Sequence, residues 1–170
     1  MSDVLIWART ILVTTPKRWT ELTATLPPEL LSLPAAPGEW SALECLQHLV
    51  DTERLVFPLR VNYLLAEQDF PAFAPDSQGS APAADQAPAA LAAELARLRT
   101  ASLAIFDTVT SADLEKRARH QELGLVTLRE LLHEWAGHDL MHTVQAERAL
   151  LQPFIRGCGP WLPYFADHVA

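Results

Sequence analysis

The sequence predicts an all-α protein: a four-helix bundle with a long connection between helices 2 and 3 and a short C-terminal segment. Four segments carry apolar residues at the three- and four-residue spacing of amphipathic helices, and no segment alternates apolar and polar residues as a strand would. Residues 69–89 separate the second and third helical segments and are rich in Pro, Ala and small polar residues, which is typical of a surface loop or crossover. Helices in this arrangement bury their apolar faces against one another.

The first helix is predicted to begin at Thr15, because Thr15 can serve as N-cap with Pro16 at the first helical position. It should end near Leu26, before two consecutive prolines, and residues 28–33 can add one further turn. Residues 1–14 form an apolar segment of undecided type.

The second helix is predicted to follow Ser41, since Ser41 and Glu44 have the spacing of a capping box. It should continue to about Glu67 with a kink at Pro58, whose ring clashes with the carbonyl group one turn earlier.

The third helix covers roughly residues 88–109, a run of strong helix formers, and residues 111–124 follow as a polar connection. The fourth helix is capped by Thr127, again with a glutamate three residues later, and is expected to end before Pro153. An aromatic-rich tail, residues 157–170, should pack against the bundle.

Composition limits the function classes. The 170 residues suit one domain, residues 1–170, and no apolar run approaches the roughly 20 residues that cross a bilayer. The net charge of −8, without a basic cluster, argues against a nucleic-acid partner. Two cysteines are too few for a disulfide framework, and no signal peptide is evident. We therefore expect a soluble, cytoplasmic protein.

Three histidines form the candidate site. His138 and His142 lie four residues apart, so their rings share one face of the fourth helix. That face is otherwise apolar, and a buried polar group without a partner costs about 1–3 kcal/mol. A metal ion is one partner that satisfies both rings. His48 lies on a mainly apolar stripe of the second helix, and three imidazoles with an open position suit a divalent metal such as zinc, nickel or iron.

The histidines and their neighbours also fit roles that need no metal. Histidines four residues apart can simply be packed against their neighbours. His120 can line the mouth of the site or be a solvated loop residue, and His133 suits the surface. Cys45 can be a ligand or nucleophile, although a packed core cysteine is the simpler interpretation. Asp139 and Glu44 can orient the imidazoles as hydrogen-bond acceptors or be solvated.

The order of motifs resembles the DinB/YfiT-like family. The matching segments are TPKRWTELTATLP, WSALECLQHLVDTERLVFPLRVNYLL and HQELGLVTLRELLHEWAGHDLMHTVQAERALL. The resemblance implies a four-helix bundle, often a homodimer, with a central divalent metal held at the positions of His48, His138 and His142. It also implies a mixed range of activities, because some members are metal-dependent hydrolases and others are transferases or isomerases that use a thiol such as bacillithiol or mycothiol.

We therefore expect a metal-dependent enzyme of the thiol S-transferase or hydrolase type that acts on a small molecule. A bound water or a substrate thiolate would complete the metal shell, and no protein general base stands out. The alternative is a non-catalytic, metal-stabilised binding or stress-response module. A third interpretation is a metal-free bundle whose histidines are packed.

Overall fold

A computed structural model describes residues 4–72 and 86–170. The elements in chain order are α1 (Val4–Thr25), α2 (Pro28–Leu31), α3 (Ala42–Leu55), α4 (Phe57–Leu65), α5 (Pro88–Phe106), a 3-10 helix (Asp113–Glu115), β1 (Arg117–His120), β2 (Gly124–Thr127), α6 (Leu128–Gly157) and a second 3-10 helix (Gly159–His168). The predicted four-helix bundle is confirmed, with α1, α3 continued by α4, α5 and α6 as its helices. Of the predicted loop 69–89, residues 73–85 lie outside the described residues.

The order of the helices around the bundle differs from their order along the chain. Both α1 and α3 pack against α5 and α6, so α1 and α3 lie on one diagonal and α5 and α6 on the other. The order of buried residues along each helix shows that α1 and α6 run one way, while α3 and α5 run the other. Leu65 and Pro88 therefore lie at opposite ends of the bundle, which is why the connection between them is long.

A polar layer crosses the middle of the bundle between two hydrophobic clusters. One cluster contains Leu12, Val61 and Trp135, and the other contains Leu46 and Leu95. Along each long helix, buried polar residues separate the parts that belong to the two clusters: Thr15 on α1; His48, Thr52 and Glu53 on α3; Arg99 and Ser102 on α5; Asp139, His142 and Thr143 on α6. This layer contains the candidate site.

The predicted start of the first helix is wrong, because α1 begins at Val4 and passes through Pro16. A proline inside a helix leaves the carbonyl group four residues earlier, here that of Leu12, without its backbone donor. The guanidinium of Arg99 supplies a replacement, since its Nη1 donates to the Leu12 oxygen at 2.8 Å. This contact from α5 could not be read from the local pattern around Thr15.

The second predicted helix is two helices. The capping box is confirmed, because the side chain of Ser41 accepts from the backbone N–H of Glu44, whose carboxylate accepts from the backbone N–H of Ser41. The expected kink at Pro58 is instead a break at Val56, whose φ of −122° and ψ of −75° are not helical. Placing Pro58 in the first turn of the new helix α4 leaves no carbonyl group for its ring to meet.

A short hairpin occupies the predicted polar connection. Strands β1 and β2 pair in antiparallel register from Arg117 with Thr127 to His120 with Gly124, and Gly124 has a φ of +79° that favours glycine. The expectation of no strand is therefore wrong here. In β1 only Ala118 and His120 point inward, and His120 is polar. The strand is therefore too short to show the alternation of apolar and polar residues by which strands are recognised.

The capping box at Thr127 is confirmed, but α6 runs to Gly157 instead of ending before Pro153. Ile155 is buried in the extra turn, and this apolar burial offsets part of the cost of the proline.

The C-terminal 3-10 helix returns along α6. The side-chain amide of Gln152 donates to the backbone oxygen of His168, and its carbonyl accepts from the N–H of Ala170. The predicted packing of this segment against the bundle leaves Trp161 and Tyr164 exposed, so these rings do not lie in the core. Within the described ranges, no helix is both long and apolar enough to cross a membrane.

Candidate metal centre

The structure brings His48, His138 and His142 together in the polar layer. His48 comes from the middle of α3, and the other two come from successive turns of α6, which packs against α3 in the opposite direction. One ring nitrogen from each histidine can be chosen so that all three lie within 4.8 Å of one another. The four-residue spacing thus places two rings on the face that meets α3, as the sequence predicts.

The shortest distance in the cluster joins the Nε2 atoms of His48 and His138, which are 3.1 Å apart. Two nitrogen ligands on a tetrahedral metal with bonds of about 2.0–2.1 Å are about 3.3 Å apart. The ring centroid of His142 lies 4.5 Å from that of His48 and 4.4 Å from that of His138. The spacing of the three rings therefore fits a common ion between them.

The surroundings keep the imidazoles neutral. Burial, followed by the neighbouring His142, lowers the pKa of His48 to about 4. Burial, the other two histidines and Arg99 lower the pKa of His138 to about 3. Burial also lowers the pKa of His142, although Gln145 and Asp139 oppose this shift. At neutral pH all three rings are in the uncharged form that binds a metal.

Hydrogen bonds set which nitrogen atoms face the cluster. Nδ1 of His142 lies 2.9 Å from Oε1 of Gln145, and because a carbonyl oxygen only accepts, Nδ1 donates and Nε2 is left as the ligand atom. Nδ1 of His138 is buried without a hydrogen bond to any described residue. Gln145 was not predicted from the sequence, although its position three residues after His142 is the spacing at which helical side chains meet.

Aromatic rings form two walls of the cluster. The Trp40 ring stacks on His142 with centroids 5.6 Å apart and lies 5.0 Å from His48. Phe57 meets His138 edge-on at 5.0 Å. These rings limit the access of water from two sides.

A cavity of about 260 Å³ borders the cluster and gives access to His48 and His138. It shares four lining residues, Arg60, His120, Leu123 and Glu134, with a second cavity of about 400 Å³ beside the hairpin. The two cavities therefore adjoin each other at these residues. A larger hollow of about 610 Å³ follows residues 32–44 and is lined by none of the histidines.

The donor set fits a divalent transition metal. Three neutral imidazoles are typical ligands of zinc, nickel or iron, and fewer than four protein ligands leave a position for an exchangeable group. The Nε2 atoms of His48 and His138 already face each other, and a shared ion would be coordinated by these two atoms.

Other candidate residues take different positions. His120 is buried and lines the cavity, so the solvated-loop interpretation is wrong, and exposed His133 suits the surface as predicted. Cys45 lies in the hydrophobic core, where burial raises the pKa of its thiol to about 12. The suggested acceptors are used elsewhere: Glu44 caps α3, and Asp139 binds Arg99.

A buried charge cluster lies beside the histidines. Arg99, only 1% exposed, donates through Nη1 and Nη2 to the carboxylate of Asp139 at 2.7 and 3.1 Å. Its Nε lies 2.9 Å from Oε1 of Glu53, within ion-pair distance but without hydrogen-bond direction. Burial lowers the pKa of Arg99, but Asp139 and Glu53 together raise it beyond its ordinary value. Trp135 Nε1 donates to Glu53 at 3.3 Å.

Comparisons with known proteins agree with this architecture. The family model of the DinB superfamily matches residues 11–146. Among solved structures, YfiT from Bacillus subtilis, a probable metal-dependent hydrolase with an unusual four-helix bundle topology, superposes with a TM-score of 0.72 at 20% identity. The match covers 91% of this chain and 90% of YfiT. No curated protein sequence matches the chain. At this identity the likeness to YfiT concerns the fold.

Proposed function

The chain belongs to the DinB superfamily, and we propose that it is a metal-dependent enzyme that acts on a small molecule. His48, His138 and His142 are the proposed ligands of one divalent transition metal, and the metal can be zinc, nickel or iron. The observation that carries this proposal is the cluster of three neutral imidazoles with ligand atoms within 4.8 Å, next to an accessible cavity.

The residues of the chain have separate roles in this proposal. Gln145 holds His142 with Nε2 directed into the cluster, and Trp40 and Phe57 restrict water around the rings. When bound, the metal would act as a Lewis acid and lower the pKa of a coordinated water or thiol. The cavity beside His48 and His138 is where a substrate would meet it.

Two reaction types remain within the proposal. Hydrolysis is supported by the similarity to YfiT, itself a probable metal-dependent hydrolase. Thiol transfer would need a low-molecular-weight thiol as co-substrate, because Cys45 is in the core and Cys158 lies at the end of α6. Of the two, we propose hydrolysis first, since it needs only water as the second reactant.

Metal content tests the proposed site. Protein purified without an affinity tag or a metal column should contain close to one zinc, nickel or iron ion per chain. His142→Ala should lose the ion, whereas His133→Ala, an exposed histidine on the same helix, should keep it. Equal metal content in wild type and His142→Ala would contradict the assignment of the ligands.

Activity tests the reaction. Metal-loaded wild type should hydrolyse simple esters or amides, or transfer a small thiol, and His142→Ala should not. Metal binding that raises the melting temperature without either activity would favour the non-catalytic binding module. No binding after incubation with zinc or nickel would favour packed histidines.

We also propose a cytoplasmic homodimer. Leu140, Met141 and Val144 are exposed together on one face of α6, and an apolar stripe of this kind suits contact with a second copy. Sedimentation equilibrium of wild type and Val144→Glu tests this, because a dimer that uses the stripe should become monomeric in the variant. A wild type that sediments as a monomer would exclude it.

A further inference from the structure

Arg60 lies where the two adjoining cavities meet. It lies on α4 and is half-buried, and it lines both the cavity that borders His48 and His138 and the cavity beside the hairpin. No carboxylate among the described residues lies within ion-pair distance of its guanidinium, whereas Arg99, which also faces inward, binds two. Glu134 and Glu122 influence Arg60 only from a greater distance.

The guanidinium is held in place by an aromatic contact. Cζ of Arg60 lies 5.6 Å from the ring centroid of Phe70, in cation–π contact. Phe70 is itself buried and meets the ring of His120 edge-on at 5.4 Å. Arg60 is therefore positioned in the cavity without a direct ion pair to any carboxylate of the described residues.

His120 faces Arg60 with a second hydrogen-bond donor. Nδ1 of His120 lies 3.1 Å and 3.2 Å from the backbone nitrogens of Glu122 and Leu123, whose N–H groups can only donate. Nδ1 must therefore be the unprotonated nitrogen, and the ring proton is on Nε2. Nε2 lies 3.1 Å from Nη2 of Arg60, which also can only donate.

Two donors thus meet in the cavity without an acceptor between them. An oxygen anion beside this pair would accept from both Arg60 Nη2 and His120 Nε2 and would form the direct ion pair that Arg60 lacks. We infer that Arg60 and His120 form an anion clamp that binds the carboxylate of the substrate. The inference rests on the proposed function in that it places this carboxylate beside the metal centre.

The surroundings indicate which anion fits. Glu122 and Glu134 also line the cavity, and their charges would oppose a dianion such as a phosphate monoester more than a carboxylate. The adjoining cavity beside the hairpin is lined by Phe70, Val126 and Leu131, which would hold an apolar group. The substrate class is therefore a small organic acid with an apolar portion.

Binding of simple probes tests the clamp without relying on activity. Hexanoate, hexanamide and hexyl phosphate would be titrated into ¹⁵N-labelled protein by NMR, in the metal-free and the zinc-loaded form. We expect hexanoate to bind more tightly than the amide or the phosphate in both forms. The metal-free form matters because a carboxylate can also bind zinc directly.

Variants separate the clamp from the metal site. Arg60→Gln should bind hexanoate at least about tenfold more weakly in both forms, because a charge-assisted hydrogen-bond pair is lost, while retaining its zinc. His120→Gln should also bind it more weakly. Arg97→Gln, which removes an exposed arginine paired with Glu94, is the matched control and should bind like wild type. If circular dichroism shows Arg60→Gln to be unfolded, Arg60→Lys replaces it, with weaker binding expected because the planar fork is lost.

Several results would overturn the inference: no saturable binding of hexanoate to the metal-free form, equal binding of acid and amide, tighter binding of hexyl phosphate, or unchanged affinity in the Arg60 variant. Zinc content measured on the same samples distinguishes failure of the anion clamp from failure of the proposed metal site. Arg60-dependent binding in a protein that takes up no metal would refute the proposed function and leave the clamp intact.

Discussion

His142 depends on a neighbouring side chain for its orientation. The carbonyl of Gln145 accepts from its Nδ1, so the ring cannot turn about its axis without losing this hydrogen bond. Acceptors of this kind commonly hold the imidazoles of metal sites. Although Gln145 is not one of the proposed ligands, the proposed affinity for metal should depend on it.

Replacing Gln145 tests this dependence. Gln145→Ala should weaken zinc binding by about 10- to 100-fold, because the ring is no longer held with Nε2 inward. Gln145→Glu keeps an acceptor and should bind zinc nearly as well as wild type. The dissociation constants would be measured by competition with a chelating dye, and equal values for the alanine variant and wild type would contradict the orienting role.

The inward-facing histidines should make the stability of the metal-free protein depend on pH. The pKa of His48 is about 4 and that of His138 about 3 in the folded protein, compared with about 6.5 when unfolded. Between pH 6.5 and 4 the unfolded chain binds more protons than the folded protein. The free energy of unfolding should therefore reach its highest value from this effect above pH 6.5 and should fall as the pH is lowered.

Urea unfolding of chelator-treated protein between pH 7 and 5 measures this effect above the range in which most carboxyl groups titrate. The midpoint should fall with pH in wild type and less steeply in His138→Gln, which no longer has this ring to protonate. His133→Gln, altered at an exposed position, should keep the slope of wild type. A slope unchanged by His138→Gln would argue against a neutral His138 in the folded protein.

Helix α6 contributes two of the three proposed ligands, and its beginning is strongly defined. Thr127 accepts from the backbone N–H of Glu130, while the Glu130 carboxylate accepts from the backbone N–H and the hydroxyl of Thr127. The same cap residue ends β2, so the cap also connects the hairpin to the helix. The hairpin places His120 and Leu123 along the cavity.

Thr127→Ala should lower the free energy of unfolding by about 1 kcal/mol, because the first turn of α6 loses its cap. Thr14→Ala is a matched control, since Thr14 is exposed in the interior of α1 and its hydroxyl bonds only to the carbonyl group one turn earlier. Chemical denaturation of both variants measures the difference. An equal, small effect at both positions would mean that the cap does not stabilise the folded chain.

One buried arginine connects the whole bundle. Arg99 on α5 contacts Glu53 on α3, Asp139 on α6 and the carbonyl group of Leu12 on α1. It thus joins all four helices within the polar layer, next to the histidine cluster. It also donates to the carbonyl group that Pro16 leaves without a backbone donor. The proline in α1 and the arginine on α5 therefore depend on each other.

Arg99→Met should lower the free energy of unfolding by about 3–5 kcal/mol, because two buried carboxylates lose their counter-charge. Arg97→Met, two residues away on the exposed side of α5, should change it by less than about 0.5 kcal/mol. Denaturation by urea measures both variants. A similar small loss in both would show that the buried carboxylates are neutralised in another way.

Local patterns in the sequence were sufficient for the helical fold and for the common face of His138 and His142. The capping boxes at Ser41 and Thr127 act within four residues, and the spacing of His138 and His142 determines their common face whatever surrounds the helix. These features depend on neighbours along the chain, so they can be predicted without the rest of the molecule.

Contacts between distant segments account for what the sequence pattern missed. The course of α1 through Pro16 depends on Arg99, 83 residues later, and the burial of His120 depends on a hairpin with only two inward positions in β1. Likewise, Arg60 meets His120 only because α4 and β1 pack together. Such partners are brought together by tertiary packing, which leaves no short periodic signal along the chain.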